Sequence, residues 1–123
     1  MELGALLHDI GRCRTHGIQH AAAGGLILRI LGFDEKVARI AERHMGAGVP
    51  PDEAEALELP PGEYMPATLE EKIVCHADNL VRGAERVEVQ DTVDRFMERG
   101  LRPQAERIRA LHGELSSLAG GDL

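Results

Sequence analysis

The chain is rich in aliphatic residues and almost without aromatic ones, and this constrains its fold more than any other feature. Hydrophobic residues make up 43% of its 123 residues, whereas aromatic residues make up 2% and tryptophan is absent. That hydrophobic content is too high for a disordered chain. A core of leucine, isoleucine, valine and alanine favours closely packed helices, so we predict an all-α fold. The length suits one domain.

Capping residues mark several helix boundaries. Gly32 is suited to end one helix, and Asp34 to cap the start of the next. Thr68 and Glu71 form the pattern of a capping box, and Pro103 is typical of a first helical turn. The predicted helices cover residues 2–8, 18–31, 35–45, 52–57, 69–84, 92–99 and 103–118. They are expected to form one domain over residues 1–119, with residues 120–123 as a flexible tail.

Charge and cysteine content limit the function classes. A net charge of -7 argues against nonspecific binding to nucleic acid, although one arginine and a metal ion can still meet a nucleotide's phosphates. No apolar run approaches the roughly 18 residues that cross a bilayer, and no leader pattern opens the chain. We therefore expect a cytoplasmic protein with no membrane partner. Cys13 and Cys75 form no CxxC pair and are expected to be reduced thiols without a ligand role.

A histidine–aspartate pair offers the first candidate for a metal site. His8 and Asp9 provide one imidazole nitrogen and one carboxylate oxygen, which suit a borderline or hard divalent ion. Gly11 is expected to let the backbone turn sharply after the pair. Arg12 then places a guanidinium, the planar partner of phosphate oxygens, beside the proposed metal. Because such a dipeptide is common by chance, the other histidines decide what it means.

Two of those histidines fall on apolar helix faces. His20 is in line with Ala23, Gly24 and Ile27, and His44 is in line with Ile40. Burying an imidazole requires a polar partner, so each could be a satisfied core residue or a metal ligand. Their occurrence on successive helices, together with the His-Asp pair, favours a metal site.

The predicted helix 69–84 leaves one choice open. Its apolar stripe comprises Leu69, Ile73, Val74, Ala77, Leu80, Val81 and Ala84. His76 and Asp78 flank the stripe on opposite edges, so periodicity does not decide which of them points inward. Asn79 is expected to make only local hydrogen bonds.

The remaining histidines look peripheral. His16 lies in a loop, where it is either exposed to solvent or close to a substrate. His112 lies among charged residues of the last helix and is expected at the surface. In that helix Ile108, Leu111, Leu115 and Leu118 repeat at alternating steps of three and four, a stripe that is either core or the seam of a homo-oligomer.

Four segments, taken in order, carry a family resemblance. They are Leu6-Leu7-His8-Asp9-Ile10-Gly11-Arg12, His20-x3-Gly24, Glu42-Arg43-His44 and Ile73-Val74-Cys75-His76-Ala77-Asp78. In order and spacing they resemble the HD-domain superfamily of metal-dependent phosphohydrolases, and more narrowly its small HDIG proteins, many of them archaeal. The resemblance extends over about residues 8–81.

The resemblance implies a helical bundle that holds one or two divalent ions. By motif, His8 and Asp9 would bind the first metal, and Asp78 rather than His76 would complete that site. His20 and His44 would bind a second ion, with Asp9 bridging. Related domains carry a further histidine on a helix about thirty residues earlier, whereas only seven residues precede His8. We therefore expect an HD-type bundle that lacks its first helix or helices.

The resemblance leads to a phosphohydrolase or phosphodiesterase that acts on a nucleotide or another phosphate ester. Asp9 and Arg12 would be its catalytic residues, and Arg12, His16 and Lys72 would contact substrate. Mn, Fe, Co, Ni, Mg and Zn all remain candidates for the ion. The alternatives are a non-catalytic module that binds a nucleotide or protein, and a helical oligomerisation domain whose histidines are core residues.

Overall fold

Helices make up nearly all of the regular structure, which confirms the all-α prediction. A computed structural model describes all 123 residues. Two two-residue strands, β1 and β2, are the exception and pair antiparallel as a hairpin. The elements in chain order are α1 (Glu2–Leu7), a 3-10 helix (Ile10–Cys13), α2 (His20–Ile30), α3 (Glu35–Glu42), α4 (Pro51–Ala56), α5 (Leu69–Asn79), β1 (Val81–Arg82), β2 (Glu85–Arg86), α6 (Val89–Glu98) and α7 (Arg102–Ala119).

The helix starts that rest on local capping are confirmed. Asp34 accepts a hydrogen bond from the N–H of Lys36, and the Thr68 hydroxyl accepts one from the N–H of Glu71. The predicted capping box is only half formed, because the Glu71 carboxylate accepts from the N–H of Ala67 and not from that of Thr68. The end of α5 was predicted too late, at residue 84 instead of Asn79. The chain leaves the helix there because the β1–β2 hairpin follows, with Gly83 at a φ of +64° in its turn.

Three small apolar clusters hold the helices together. The largest contains Cys75 of α5, Val93 of α6, and Ile108 and Leu115 of α7. A second joins α2 and α3 through Leu28, Ala38 and Ala41, with Leu7 and Ile10 packed against it. In the third, Ala54 of α4 packs with Ala22 of α2 and with Val49 and Tyr64. The second cluster matters for function because it joins α1, the 3-10 helix, α2 and α3.

Gly11 is needed for close packing and not for a turn, contrary to the sequence expectation. Its φ is not positive, so no left-handed conformation demands glycine there. A Cβ at Gly11 would lie 1.8 Å from the His20 carbonyl oxygen and 2.6 Å from the Gly24 nitrogen. Gly11 therefore lets the 3-10 helix rest directly on the backbone of α2.

The apolar stripe of α5 is only partly buried, and this too differs from the prediction. Leu69 is 49% and Ile73 37% exposed, whereas Glu71, His76 and Asn79 lie on the buried side. Leu69 and Ile73 line an open apolar cleft between α5 and α7. Hydrophobic periodicity failed here because the inward face of α5 carries polar side chains.

His112 is buried, so its predicted surface position was wrong. It lies on the same side of α7 as Ile108, Leu111 and Leu115, which are core residues, whereas Leu118 at the end of the same stripe is 69% exposed. Asp122 folds back and accepts a hydrogen bond from His112 Nε2 at 2.8 Å. Whether residues 120–123 are flexible stays a prediction. None of the helices combines the length and hydropathy that a membrane span requires.

Candidate metal centre

Five predicted ligands from four parts of the chain come together beside the second apolar cluster. His8 and Asp9 lie between α1 and the 3-10 helix, and His20 is the first residue of α2. His44 follows the end of α3, and Asp78 lies in the last turn of α5. We call this group the Asp9 cluster. Three of its members, His8, Asp9 and His44, each offer a donor atom within 4.8 Å of the other two, which is close enough to share an ion.

Each imidazole of the Asp9 cluster is anchored in the same way. The Nδ1–H of His8 donates to the Ala5 carbonyl at 2.6 Å, and the Nδ1–H of His44 donates to the Ala41 carbonyl at 2.6 Å. His20 donates from Nδ1 to Gly17 at 2.9 Å. Because a carbonyl only accepts, Nδ1 carries the proton in all three rings. In the neutral form of each ring the lone pair is therefore on Nε2, as a metal ligand requires.

The Nε2 atoms converge on the carboxylate of Asp9. Its Oδ1 lies 3.2 Å from Nε2 of His20 and 3.2 Å from Nε2 of His44. Its Oδ2 lies 3.4 Å from Nε2 of His8. The imidazole of His44, followed by the charges of His8 and Arg12, holds the pKa of Asp9 well below its usual range against the effect of burial. Asp9 is therefore an anion whose two oxygens face different histidines.

Asp78 faces His8 from α5. Its Oδ1 lies 3.4 Å from Nε2 of His8, and its side chain is 41% exposed. This carboxylate, with Asp9 as a further charge, raises the pKa of His8 to about 9 although burial opposes the shift. The position between two carboxylates thus favours a cation. Of the two residues that periodicity left open, Asp78 is the one that reaches the Asp9 cluster.

The donor atoms of the cluster fit a divalent cation. Nε2 of His8 and Oδ1 of Asp9 are buried but have no hydrogen-bond partner. Nε2 of His20 lies 2.9 Å from Nε2 of His44, so two lone pairs face each other and need a shared positive charge. Atoms bound about 2.1 Å from one ion at right angles lie about 3.0 Å apart. The observed separations of 2.9 to 3.4 Å match that spacing.

Arg12 lies at the solvent side of the cluster, and His16 lies beyond it. The Nε of Arg12 is 3.3 Å from Oδ1 of Asp9, and the side chain of Arg12 is 45% exposed. His16 is exposed, and its carbonyl accepts a hydrogen bond from Arg12 at 3.4 Å. Arg12 can therefore reach a group bound at Asp9, whereas no contact joins the His16 ring to the cluster.

Lys72 is not brought to the cluster. Its Nζ forms an ion pair with Glu114 of α7 at 3.1 Å, and its side chain borders a groove with Arg107 and Leu111. The structure gives no support to Lys72 as a residue that contacts substrate beside Asp9.

A second pair of histidines went unrecognised in the sequence. Nε2 of His76 lies 2.8 Å from Nδ1 of His112, and the ring centroids are 5.0 Å apart. Asn79 donates to Nδ1 of His76 at 3.3 Å. Burial, with a smaller effect from His112, lowers the pKa of His76 to about 4, so that ring is neutral. We call Asn79, His76, His112 and Asp122 the His76 chain; its partners are too distant in sequence for periodicity to reveal.

A family model of the HD domain matches residues 1–83, which include all five residues of the Asp9 cluster. The match covers more than half of the chain, and the fold is helical as that domain requires. The chain therefore belongs to the HD-domain family. Members of this family typically bind divalent metal ions.

Three curated proteins are similar to this chain over nearly its whole length. An uncharacterized protein of Methanocaldococcus jannaschii is 56% identical over 120 residues, which are 96% of this chain and 71% of the relative. A tRNA (cytidine(56)-2'-O)-methyltransferase of Thermoplasma volcanium is 51% identical, and one of Picrophilus torridus is 49% identical. Each covers 98% of this chain, which spans only 36% and 35% of those two enzymes. No solved structure gives a significant match.

Proposed function

We propose that the protein is a metal-dependent phosphohydrolase or phosphodiesterase that acts on a nucleotide or another phosphate ester. One observation carries the proposal: an ionised Asp9 holds a buried oxygen without a hydrogen-bond partner, with two Nε2 atoms 3.2 Å away. Structural histidines would be paired with donors or acceptors, as buried polar groups normally are. Membership of the HD family makes hydrolysis of a phosphate ester the first activity to test.

The cluster divides into two sets of ligands that share Asp9. Oδ1 of Asp9 belongs with His20 and His44, and Oδ2 belongs with His8 and, through it, Asp78. This division supports one or two ions with a bridging carboxylate. Imidazole and carboxylate donors suit Mn, Fe, Co, Ni or Zn, and the carboxylates also accept Mg.

The residues of the cluster have distinct tasks in the proposed reaction. A divalent ion held by the cluster would supply Lewis-acid chemistry, which lowers the pKa of water and polarises phosphoryl oxygens. Asp9 would hold the ion, and its carboxylate would orient the attacking water. The guanidinium of Arg12, 3.3 Å from Asp9 and half exposed, stabilises the charge that develops on the phosphate. Asp9 and Asp78 are 40% and 41% exposed, so substrate can reach this side.

A second candidate function follows from the relatives. In two archaeal tRNA 2'-O-methyltransferases the matched region makes up about a third of the enzyme, so the domain also occurs as part of a larger protein. A non-catalytic module that binds a nucleotide or partner protein would serve such an arrangement. The net charge of -7 disfavours direct binding of RNA by this chain. A homo-oligomer remains part of either proposal and is checked by light scattering.

The deciding experiment measures metal content and turnover in the same preparations. Protein purified without chelator should contain about one or two divalent ions per chain and should hydrolyse nucleotide or aryl phosphates with added Mn, Co, Ni or Mg. The D9N variant should lose both properties, whereas H112Q, a histidine variant outside the cluster, should keep them. Bound metal without turnover on any phosphate ester would favour the module, and absence of both would refute the enzyme.

A further inference from the structure

Asn79, the residue after Asp78, connects two segments that carry residues of the Asp9 cluster. It is 5% exposed, and its Nδ2 donates to the carbonyl oxygen of Gly46 at 2.7 Å. Gly46 is 33 residues away in sequence and two residues after His44. The bond therefore connects the helix that carries Asp78 with the loop that continues from His44.

The acceptor of this bond is fixed in place. Gly46 has a φ of +58°, a left-handed conformation that favours glycine, and its carbonyl also accepts a hydrogen bond from the Cys75 thiol at 3.2 Å. Cys75 and Asn79 are one turn apart on α5. One carbonyl of the loop after His44 is thus attached to the last turns of α5 by two donors.

The side chain of Asn79 has little freedom to move. Its amide also donates to Nδ1 of His76 at 3.3 Å, and its backbone carbonyl accepts a hydrogen bond from the Thr92 hydroxyl of α6. An amide oxygen in place of the nitrogen would face the Gly46 carbonyl and the His76 acceptor, so the partners determine the orientation. The Thr92 hydroxyl bonds to the backbone of Asn79, so this contact does not involve the side-chain amide that reaches Gly46.

We propose that Asn79 is a positioning residue for the metal centre, because it fixes the distance between Asp78 and the segment of His44. The inference rests on the proposed metal site and adds a residue that is not itself a ligand. Outer groups that orient metal ligands change affinity by about 10- to 100-fold when they are removed. A residue with a purely structural role would change stability and leave affinity per folded molecule unaltered.

The test compares N79A, N79D and T92V with the unaltered chain. N79D keeps the shape but places an oxygen against the Gly46 carbonyl, and T92V removes the other side-chain contact to Asn79. Urea unfolding gives stability, and titration with Co²⁺ gives both affinity and the visible absorption that reports coordination. We expect N79A and N79D to bind Co²⁺ about 10-fold more weakly with an altered spectrum. T92V should bind within about twofold of the unaltered chain with the same spectrum.

Each outcome decides the matter. Unchanged Co²⁺ affinity and spectrum in folded N79A or N79D would overturn the inference while the metal site stands. Equal loss in T92V would also overturn it, because general destabilisation would then explain the effect. If the unaltered chain binds no Co²⁺, the proposed function falls together with the inference. Should N79A fail to fold, N79D alone is judged against T92V by the same readouts.

Discussion

The Asp9 cluster and the His76 chain both contain buried histidines, but the hydrogen-bond partners of the ring nitrogens differ. In the His76 chain every ring nitrogen has a partner: Asn79 donates to His76, His76 donates to His112, and His112 donates to Asp122. In the Asp9 cluster the Nδ1 atoms donate to carbonyls, but the Nε2 atoms face one another and a carboxylate. The first arrangement is complete without an ion, whereas the second leaves donor atoms that a cation would satisfy.

The partner of Nδ1 distinguishes the two groups. His8 and His44 follow the last turns of α1 and α3, where carbonyls lack a partner within the helix. Those carbonyls take the Nδ1 proton and turn Nε2 outward. The Nδ1 of His76, in the last turn of α5, instead accepts from the Asn79 amide, and its Nε2 donates to His112. Burial alone does not distinguish a ligand from a core histidine, but the tautomer does.

The comparison is tested most strongly at Asp9. In D9N the carboxylate charge disappears, and one of the two oxygens that face the histidines becomes an amide nitrogen. We expect metal affinity to fall more than 100-fold, about 2.7 kcal/mol or more, since even outer groups are worth 10- to 100-fold. Calorimetric titration with Mn²⁺ measures it. Equal Mn²⁺ affinity in D9N and the unaltered chain would show that Asp9 does not distinguish the two groups of histidines.

Gly11 tests whether the Asp9 cluster depends on close backbone contact. In G11A the new Cβ would lie 1.8 Å from the His20 carbonyl oxygen, so the 3-10 helix must move away from α2. Overpacking of this kind costs about 2 to 3 kcal/mol in the free energy of unfolding. Because Asp9 and His20 separate, Mn²⁺ binding should weaken as well. Urea unfolding and titration measure the two effects, and G113A, where a Cβ meets nothing, is the control.

The Arg43–Glu71 ion pair provides a destabilised variant in which every metal ligand is retained. Arg43 and Glu71 are buried and lie 2.8 Å apart. E71Q removes the buried counter-charge of Arg43 but keeps an oxygen that can accept its hydrogen bond, and we expect a loss of about 2 kcal/mol. Metal affinity per folded molecule should stay the same. A loss of Mn²⁺ affinity similar to that of D9N would mean that stability and binding cannot be separated here.

The same variant predicts a pH dependence. Burial alone would raise the pKa of Glu71, but the Ala67 N–H and the Arg43 guanidinium outweigh it and lower that pKa below its ordinary 4.5. The stabilisation is therefore fully present above about pH 4.5 and is lost as the pH falls through the lower folded value. The difference in unfolding free energy between E71Q and the unaltered chain should shrink on acidification. A constant difference from pH 7 to pH 3 would contradict this assignment.

His112 gives the smallest expected effect and shows whether the His76 chain is only structural. H112Q removes the ring that accepts from His76, and one unpaired donor costs about 1 kcal/mol. The loss should be the same with and without Mn²⁺, because no ligand changes. Thermal unfolding with and without the ion measures it. A stability loss that depends on metal would place His112 in the metal centre.

The sequence predicted those features that depend on neighbours along the chain. Asp34 and Thr68 cap their helices as expected because a capping side chain bonds a backbone group two or three residues away. His20 and His44 were correctly placed inside, since each shares a face with apolar residues. The choice of Asp78 rather than His76 as a candidate ligand came from the family resemblance alone, because periodicity put both residues at the edges of the apolar stripe.

Features that depend on distant partners were not predictable from the pattern. His112 is buried because it pairs with His76, which lies 36 residues away and donates a hydrogen bond to it. A histidine among charged residues gives no sign of such a distant partner. Asn79 was expected to bond locally but reaches Gly46. Gly11 was assigned to a turn, although the reason for glycine is the α2 backbone that packs against it. Each error concerns a contact across the fold.

The anchoring of the three rings has a consequence for how the site tolerates change. Each imidazole and its carbonyl form a unit of four residues, 5–8, 17–20 and 41–44, and the acceptor is main chain in every unit. The side chains at positions 5 and 41 are free to vary so far as packing allows, because any amino acid supplies the same oxygen. Inserting one residue inside a unit would instead break the bond between Nδ1 and its carbonyl and reorient that imidazole. The geometry of the Asp9 cluster thus depends on the spacing of these residues more than on their identity.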